Sequence, residues 1–225
     1  RESEAVKIAA SNLAADLGRT LGISARVLQD YSGMDGKSDR EWDKNEADAE
    51  ILVGTSGVSD MISEKADLTV LCDDASGSLR KEAYLHRIVD GRLVIAGSDR
   101  RGTVYGIYEL SEMLGVSPWH FWADVPVKKR DEFTLPADYT KADHPSVEYR
   151  GIFINDEEEL EAWVQNYMKE PTIGVRTYEK VFELLLRLKA NYIWPAMHVN
   201  SFNLKPENGA LADRMGIVVG TSHCD

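Results

Sequence analysis

Basic residues, cysteines and long apolar runs are all scarce in this 225-residue chain. Lys and Arg total 26 against 38 Asp and Glu, and the formal net charge is −12. Nucleic-acid binding needs a basic footprint, so that class is excluded, and nothing draws the chain to an anionic membrane. A polyanionic substrate stays open, because one local Arg or Lys cluster suffices to hold it. No run of 18 apolar residues exists, so no segment reads as a transmembrane helix. The first residues, RESEAVKIAASN, lack the charged–apolar–small layout of a signal peptide and read as a chain entered midway, at a helix start. Cys72 and Cys224 form no metal spacing and no disulfide framework, and read as two separate thiols that leave the compartment open. What remains is ordinary for a globular chain: 43% hydrophobic and 28% charged, enough for a sizeable core in one or two domains.

Helical and strand periods alternate along it. Val6, Ala9, Ala10, Leu13 and Leu17 recur at helical spacing, and Gly18 and Gly22 punctuate the exit. Segment 23–29 alternates like a half-buried strand, 31–49 reads as an exposed polar loop, and 50-EILVGT-55 as a buried strand. A loop and short helix follow over 56–67. Strands 83-AYLHRIVD-90 and 92-RLVIAGS-98 flank Asp90-Gly91, a strong hairpin signal. A helix beginning near Arg101 carries Val104, Ile107, Tyr108 and Leu114 and stops at Gly115. Strand-like 133-FTLP-136 closes this mixed α/β unit, and 137–149 reads as a connection. From Glu148 the order is strand (148–155), helix (177–190), strand (191–197), short helix (207–216), strand (217–222). The first of these helices shows Val181, Leu184, Leu185 and Leu188 on one face, with Thr177 as its cap and Lys180 and Arg187 on its polar side. Such alternation is the grammar of a parallel α/β sheet, open or closed into a barrel. The expected division is 1–138 and 139–225.

Several motifs weigh little on inspection. The turn 97-GSDRRGT-103 has the glycine spacing of a phosphate loop but Thr103 where its lysine belongs, so it reads as a strand-to-helix turn capped by Asp99. The run Trp119-His120-Phe121-Trp122 fits a buried seam between domains or a sugar-stacking platform. Lys128-Lys129-Arg130 reads as a solvated face, and Glu157, Glu158 and Glu159 as solvated loop or helix-start acids. His198 and His223 are isolated, with no ligand pair at helical spacing, so no metal or other cofactor is called for.

One pattern weighs more. Asn155 and Asp156 follow the strand 148–155, Trp194 and His198 flank the end of 191–197, and Thr221, Ser222 and His223 follow 217–222. Three successive strands therefore end in hydrogen-bonding or stacking side chains, as a carbohydrate site requires. Simple loop capping explains one such end more easily than three.

Four long phrases carry a resemblance: 97-GSDRRGTVYGIYELSEMLGVSPWHFWADVPVKK-129, 149-YRGIFINDEE-158, 178-YEKVFELLLRLKANYIWPAM-197 and 212-ADRMGIVVGTSHCD-225. Together they resemble glycoside hydrolase family 115, the xylan α-1,2-glucuronidases. The resemblance implies an N-terminal α/β domain of the kind that precedes the barrel in hexosaminidases, then the first three strands of a (β/α)8 catalytic barrel. It implies a fragment of a longer enzyme, inactive by itself, with the general acid and base beyond Asp225. The parent would remove glucuronic acid or its 4-O-methyl ether from glucuronoxylan by inversion, without a cofactor. Asp156 would be catalytic or substrate-orienting, and Asn155, Trp194, His198 and His223 would bind the sugar. His198 stands where relatives often carry an aromatic residue. Homo-oligomers, if formed, would use regions outside this chain, and the parent is expected in the periplasm or outside the cell. The rival readings are a non-catalytic carbohydrate-binding domain and a different exo-glycosidase on the same two-domain plan.

Overall fold

The hairpin foreseen at Asp90-Gly91 forms in the computed structural model, which describes residues 2–28, 50–155, 157–198 and 201–222. Both turn residues sit at positive φ, 52° for Asp90 and 76° for Gly91, the geometry that matches the twist of the two strands. The chain divides into two compact units, one of residues 1–117 with 127–145, the other of 118–126 with 146–225.

In the first unit the elements are α1 (Glu4–Leu21), β1 (Ile51–Thr55), α2 (Asp60–Lys65), β2 (Tyr84–Val89), β3 (Arg92–Gly97), α3 (Arg100–Met113) and β4 (Thr140–Asp143). The sheet order is β1-β3-β2-β4, with β1 parallel to β3 and the other pairs antiparallel. Leu52, Leu85, Val94 and Ala96 face a core completed by Ile62 of α2, Ala66 and Leu71. On the opposite face α3 lies close: a Cβ at Gly106 would stand 2.8 Å from Ile95, and the Gly106 carbonyl meets Nε2 of buried His86 at 2.7 Å. With both faces covered, apolar residues run consecutively along β3, as they do in sheets buried on two sides.

Asp99 ends any comparison with a phosphate loop. Its Oδ1 accepts from the backbone N–H groups of Arg101 (3.0 Å) and Gly102 (2.9 Å), and its Oδ2 from that of Glu82 (2.8 Å). The amides that would cradle an anion are already bonded to a carboxylate.

Three sequence expectations change in this unit or fall outside the description. Residues 23–28 run without strand pairing, and so does 133–136; the loop at 31–49 lies outside the described residues. The last strand is instead β4, within the stretch that reads as a connection, pairing Tyr84 with Asp143 and Arg87 with Thr140. Its sequence, TKAD, has no apolar alternation, because an edge strand needs backbone pairing more than it needs a buried face. Side chains secure it. Lys141 bonds Glu109 of α3, and the Tyr84 hydroxyl donates to Glu109 Oε2 at 3.0 Å. Burial, with the Glu109 and Asp143 carboxylates, pushes the Tyr84 phenol far above its ordinary range.

The second unit holds β5 (Gly151–Phe153), α4 (Glu158–Trp163), a π-helical turn (Val164–Met168), α5 (Val175–Arg187), β6 (Tyr192–Trp194), α6 (Pro206–Met215) and β7 (Val218–Val219). Its three strands are parallel, in the order β5-β6-β7, each joined to the next through helix. Fully buried Ile193 lies on the same strand as exposed Trp194, so β6 has one packed and one open face. Glycine permits the close pairing: a Cβ at Gly151 would stand 1.9 Å from the Tyr192 carbonyl oxygen.

The face of α5 departs from its sequence reading at the C-terminal end. Val181, Leu184 and Leu185 are buried as expected, but Leu188 is 41% exposed. Arg187, assigned to the polar side, is buried, its Nε 2.9 Å from Glu183 Oε1. Lys180 reaches the other Glu183 oxygen at 3.0 Å. Burial favours the neutral acid, yet Arg187 and Lys180 outweigh it and hold the Glu183 carboxyl below its ordinary value. A depressed folded-state value adds stability that is present above the unfolded carboxyl value, roughly pH 4.3, and is lost as pH falls through the folded one. Urea melts of the wild type should thus lose stability on acidification more steeply than those of Glu183→Gln. Parallel pH profiles for the two proteins would contradict the assignment.

Candidate functional site

The carboxyl ends of β5, β6 and β7 lie on one edge of the parallel sheet, where α/β folds keep their ligand sites. The ladder continues past the strands: Ile154 N–H donates to the Trp194 carbonyl and Gly220 N–H to that of Ile193, both at 2.9 Å. These bonds keep the three exits side by side. Asn155 leaves β5 exposed to solvent, and His198 is exposed beyond the buried pair Pro195 and Ala196. Thr221 is exposed and Ser222 half-buried, with Ser222 Oγ 3.4 Å from Met197 Sδ. Asn155, Trp194 and His198 thus share this edge; Asp156 and His223 lie outside the described residues.

Trp194 belongs to an aromatic surface on the open face of the strands. Its Nε1 donates to Tyr192 Oη at 3.1 Å, and its ring meets Phe153 edge-on with centroids 5.5 Å apart. Tyr149 packs against Tyr192 in the same manner, also at 5.5 Å. Trp194 is 39% exposed, which leaves ring surface for a sugar to stack upon.

Glu157 corrects the sequence reading. Glu158 and Glu159 are exposed, as expected of helix-start acids, but Glu157 is only 5% exposed. Its Oε1 accepts two backbone N–H groups, from Met197 and His198, each at 2.7 Å. One residue earlier the Ala196 N–H donates to the hydroxyl oxygen of Tyr178, at 3.2 Å. Three consecutive amides beyond β6 are therefore held by side chains. Burial pushes the Tyr178 phenol well above its ordinary value, and the nearby Glu157 charge adds to that. Spacing alone does not separate Glu157 from its two neighbours, since burial of one acid in a run of three depends on which amides lie opposite.

The aromatic run divides as well. Trp119 is 45% exposed, whereas Trp122 donates Nε1 to the Lys180 carbonyl at 3.1 Å and packs on Trp163 at 5.1 Å. Phe121 meets Trp163 and Tyr167 edge-on, so Phe121 and Trp122 pack, half-buried, in an aromatic cluster of the second unit. Among the described residues no three metal-ligating side chains gather.

The two units, one on a mixed and one on a parallel sheet, define an α/β protein with hydrogen-bonding and aromatic residues at the carboxyl ends of its parallel strands. Residues 142–225 match the family model described as Glycosyl hydrolase family 115, and with the 38% identity of the whole chain to a solved family 115 enzyme this shows that the chain belongs to that family. The whole chain is also similar to the solved structure of a family 115 4-O-methyl-α-glucuronidase with specificity for decorated arabinogalactans, at 38% identity and a TM-score of 0.83. The match covers 100% of this chain and 28% of that one, so the chain spans little more than a quarter of the length of that relative. A family 138 enzyme that targets the pectin rhamnogalacturonan II is a distant likeness, at 14% identity and a TM-score of 0.48, over 96% of this chain and 23% of that one. No curated protein sequence matches the chain.

Proposed function

We propose that this chain is the N-terminal α/β domain and the opening of a (β/α)8 barrel of an α-glucuronidase. The enzyme removes α-1,2-linked glucuronic acid, or its 4-O-methyl ether, from polysaccharide side chains. The observation that supports this reading is the similarity of the whole chain to part of a 4-O-methyl-α-glucuronidase; in this chain Asn155, Trp194 and His198 lie at adjoining strand ends. Xylan is the substrate named by the sequence resemblance; the specificity of the solved relative adds decorated arabinogalactan as a second candidate.

On this reading Trp194 offers its ring to a sugar face, while Asn155, His198 and His223 bind hydroxyls or the uronate. Asp156 is an orienting or catalytic acid. Inversion requires a general acid on the leaving oxygen and a base activating water on the opposite face, with carboxyls roughly 6.5–9.5 Å apart. The polypeptide carrying this chain should free uronic acid from glucuronoxylan or from decorated arabinogalactan. Asp156→Ala should lower kcat/KM by about 100-fold or more, the range in which a single acid–base group acts. Full activity in that variant would make Asn155-Asp156 a structural cap, and no release from either polymer would favour the carbohydrate-binding reading.

A further inference from the structure

We propose that Glu157 is a positioning residue of the sugar site, one that sets the loop beyond β6 against the exit of β5. The inference rests on the functional reading above. Glu157 occupies the N-cap of α4, whose Glu161 N–H bonds the Glu157 carbonyl at 2.7 Å. Its carboxylate nevertheless makes no capping bond within its own helix. It reaches across to the next strand's exit and takes the N–H groups of Met197 and His198 on a single oxygen.

A buried carboxylate is costly unless hydrogen-bonded, and hydrogen bonds to an ionised acceptor are about twice as strong as neutral ones. Both 2.7 Å bonds run to backbone, so they fix where the chain goes and not merely where one side chain points. The fixed backbone carries His198 directly, and its first residue, Met197, lies three residues beyond Trp194. Asn155 is two residues before Glu157. One carboxylate thus couples the two strand ends that offer the described candidate sugar contacts, and Ser222 ties the third through Met197 Sδ. Glu157 touches no substrate on this account and acts through the Met197–His198 backbone.

The test compares Glu157→Ala and Glu157→Gln in the full polypeptide. It reads kcat and KM for uronic acid release, together with amide hydrogen exchange at Met197 and His198. The alanine variant should raise KM roughly tenfold or more, in keeping with the cost of small misplacements at a binding site. It should also strip protection from both amides. Glutamine keeps an oxygen acceptor and should restore protection and most of the lost affinity. A purely structural role would reduce the amount of folded enzyme and leave KM alone, so an unchanged KM overturns the inference. A glutamine variant as impaired as alanine overturns it too. If the unsubstituted protein frees no uronic acid while the alanine variant exposes both amides, the functional reading has failed, and the role in that reaction falls with it. Unchanged exchange overturns the coupling itself.

Discussion

Gly102→Ala should unfold the first unit or destabilise it by about 3 kcal/mol or more, the upper range for a clash in a packed interior. Gly102 lies in the first turn of α3, where a Cβ would stand 2.2 Å from the Ala83 carbonyl oxygen and near the Ala83 carbon and nitrogen as well. All three atoms are backbone, so no rotamer change relieves the contact. The same carbonyl accepts the Ser98 N–H at 2.9 Å, and pushing it aside breaks the bond that closes the sheet beside β3. Helix propensity argues the other way, favouring Ala over Gly by about 1 kcal/mol. The clash wins on magnitude. Gly209, inside α6, is the internal control: a Cβ there meets nothing within 4 Å. Gly209→Ala should therefore stabilise by roughly 0.5–1 kcal/mol, and urea unfolding of both variants measures the contrast. Equal stability of Gly102→Ala and wild type would show that α3 does not press on Ala83.

Glu170→Ala is expected to cost about 3 kcal/mol, because it strands several donors at once. Buried Glu170 accepts the backbone N–H of Arg176 at 3.0 Å and that of Thr177 at 2.9 Å, and also the Thr177 hydroxyl at 2.6 Å. These amides belong to the first turn of α5, so the carboxylate also meets the positive end of the helix dipole. The sequence points to Thr177 as the cap; the structure makes Gly174 the N-cap and uses the Thr177 hydroxyl as a donor to Glu170. Glu170→Gln should recover roughly half of the loss, since one acceptor oxygen survives but the charge does not. Thermal melts of both variants measure the difference. If alanine and glutamine cost the same, the charge contributes nothing and the cap is only a hydrogen-bond acceptor.

Local chemistry decided much of this protein from the sequence alone. The Asp90-Gly91 turn, the Asp99 cap, the buried stripe of α5 and the alternation of strand and helix after Glu148 each depend on residues within a few positions of one another. Polar side chains at three strand ends were legible for the same reason, because a strand's exit is written in the residues that follow it. Tertiary structure decided the rest. β4 exists because β2 leaves an edge to be paired, and nothing within Thr140–Asp143 announces that. Arg187 is buried because Glu183 neutralises it one turn away inside a packed unit. Glu157 separates from Glu158 and Glu159 because two backbone amides, forty residues along the chain, stand within reach of its oxygen. Burial of a charge depends on what lies opposite it in space, and one-dimensional spacing does not carry that information.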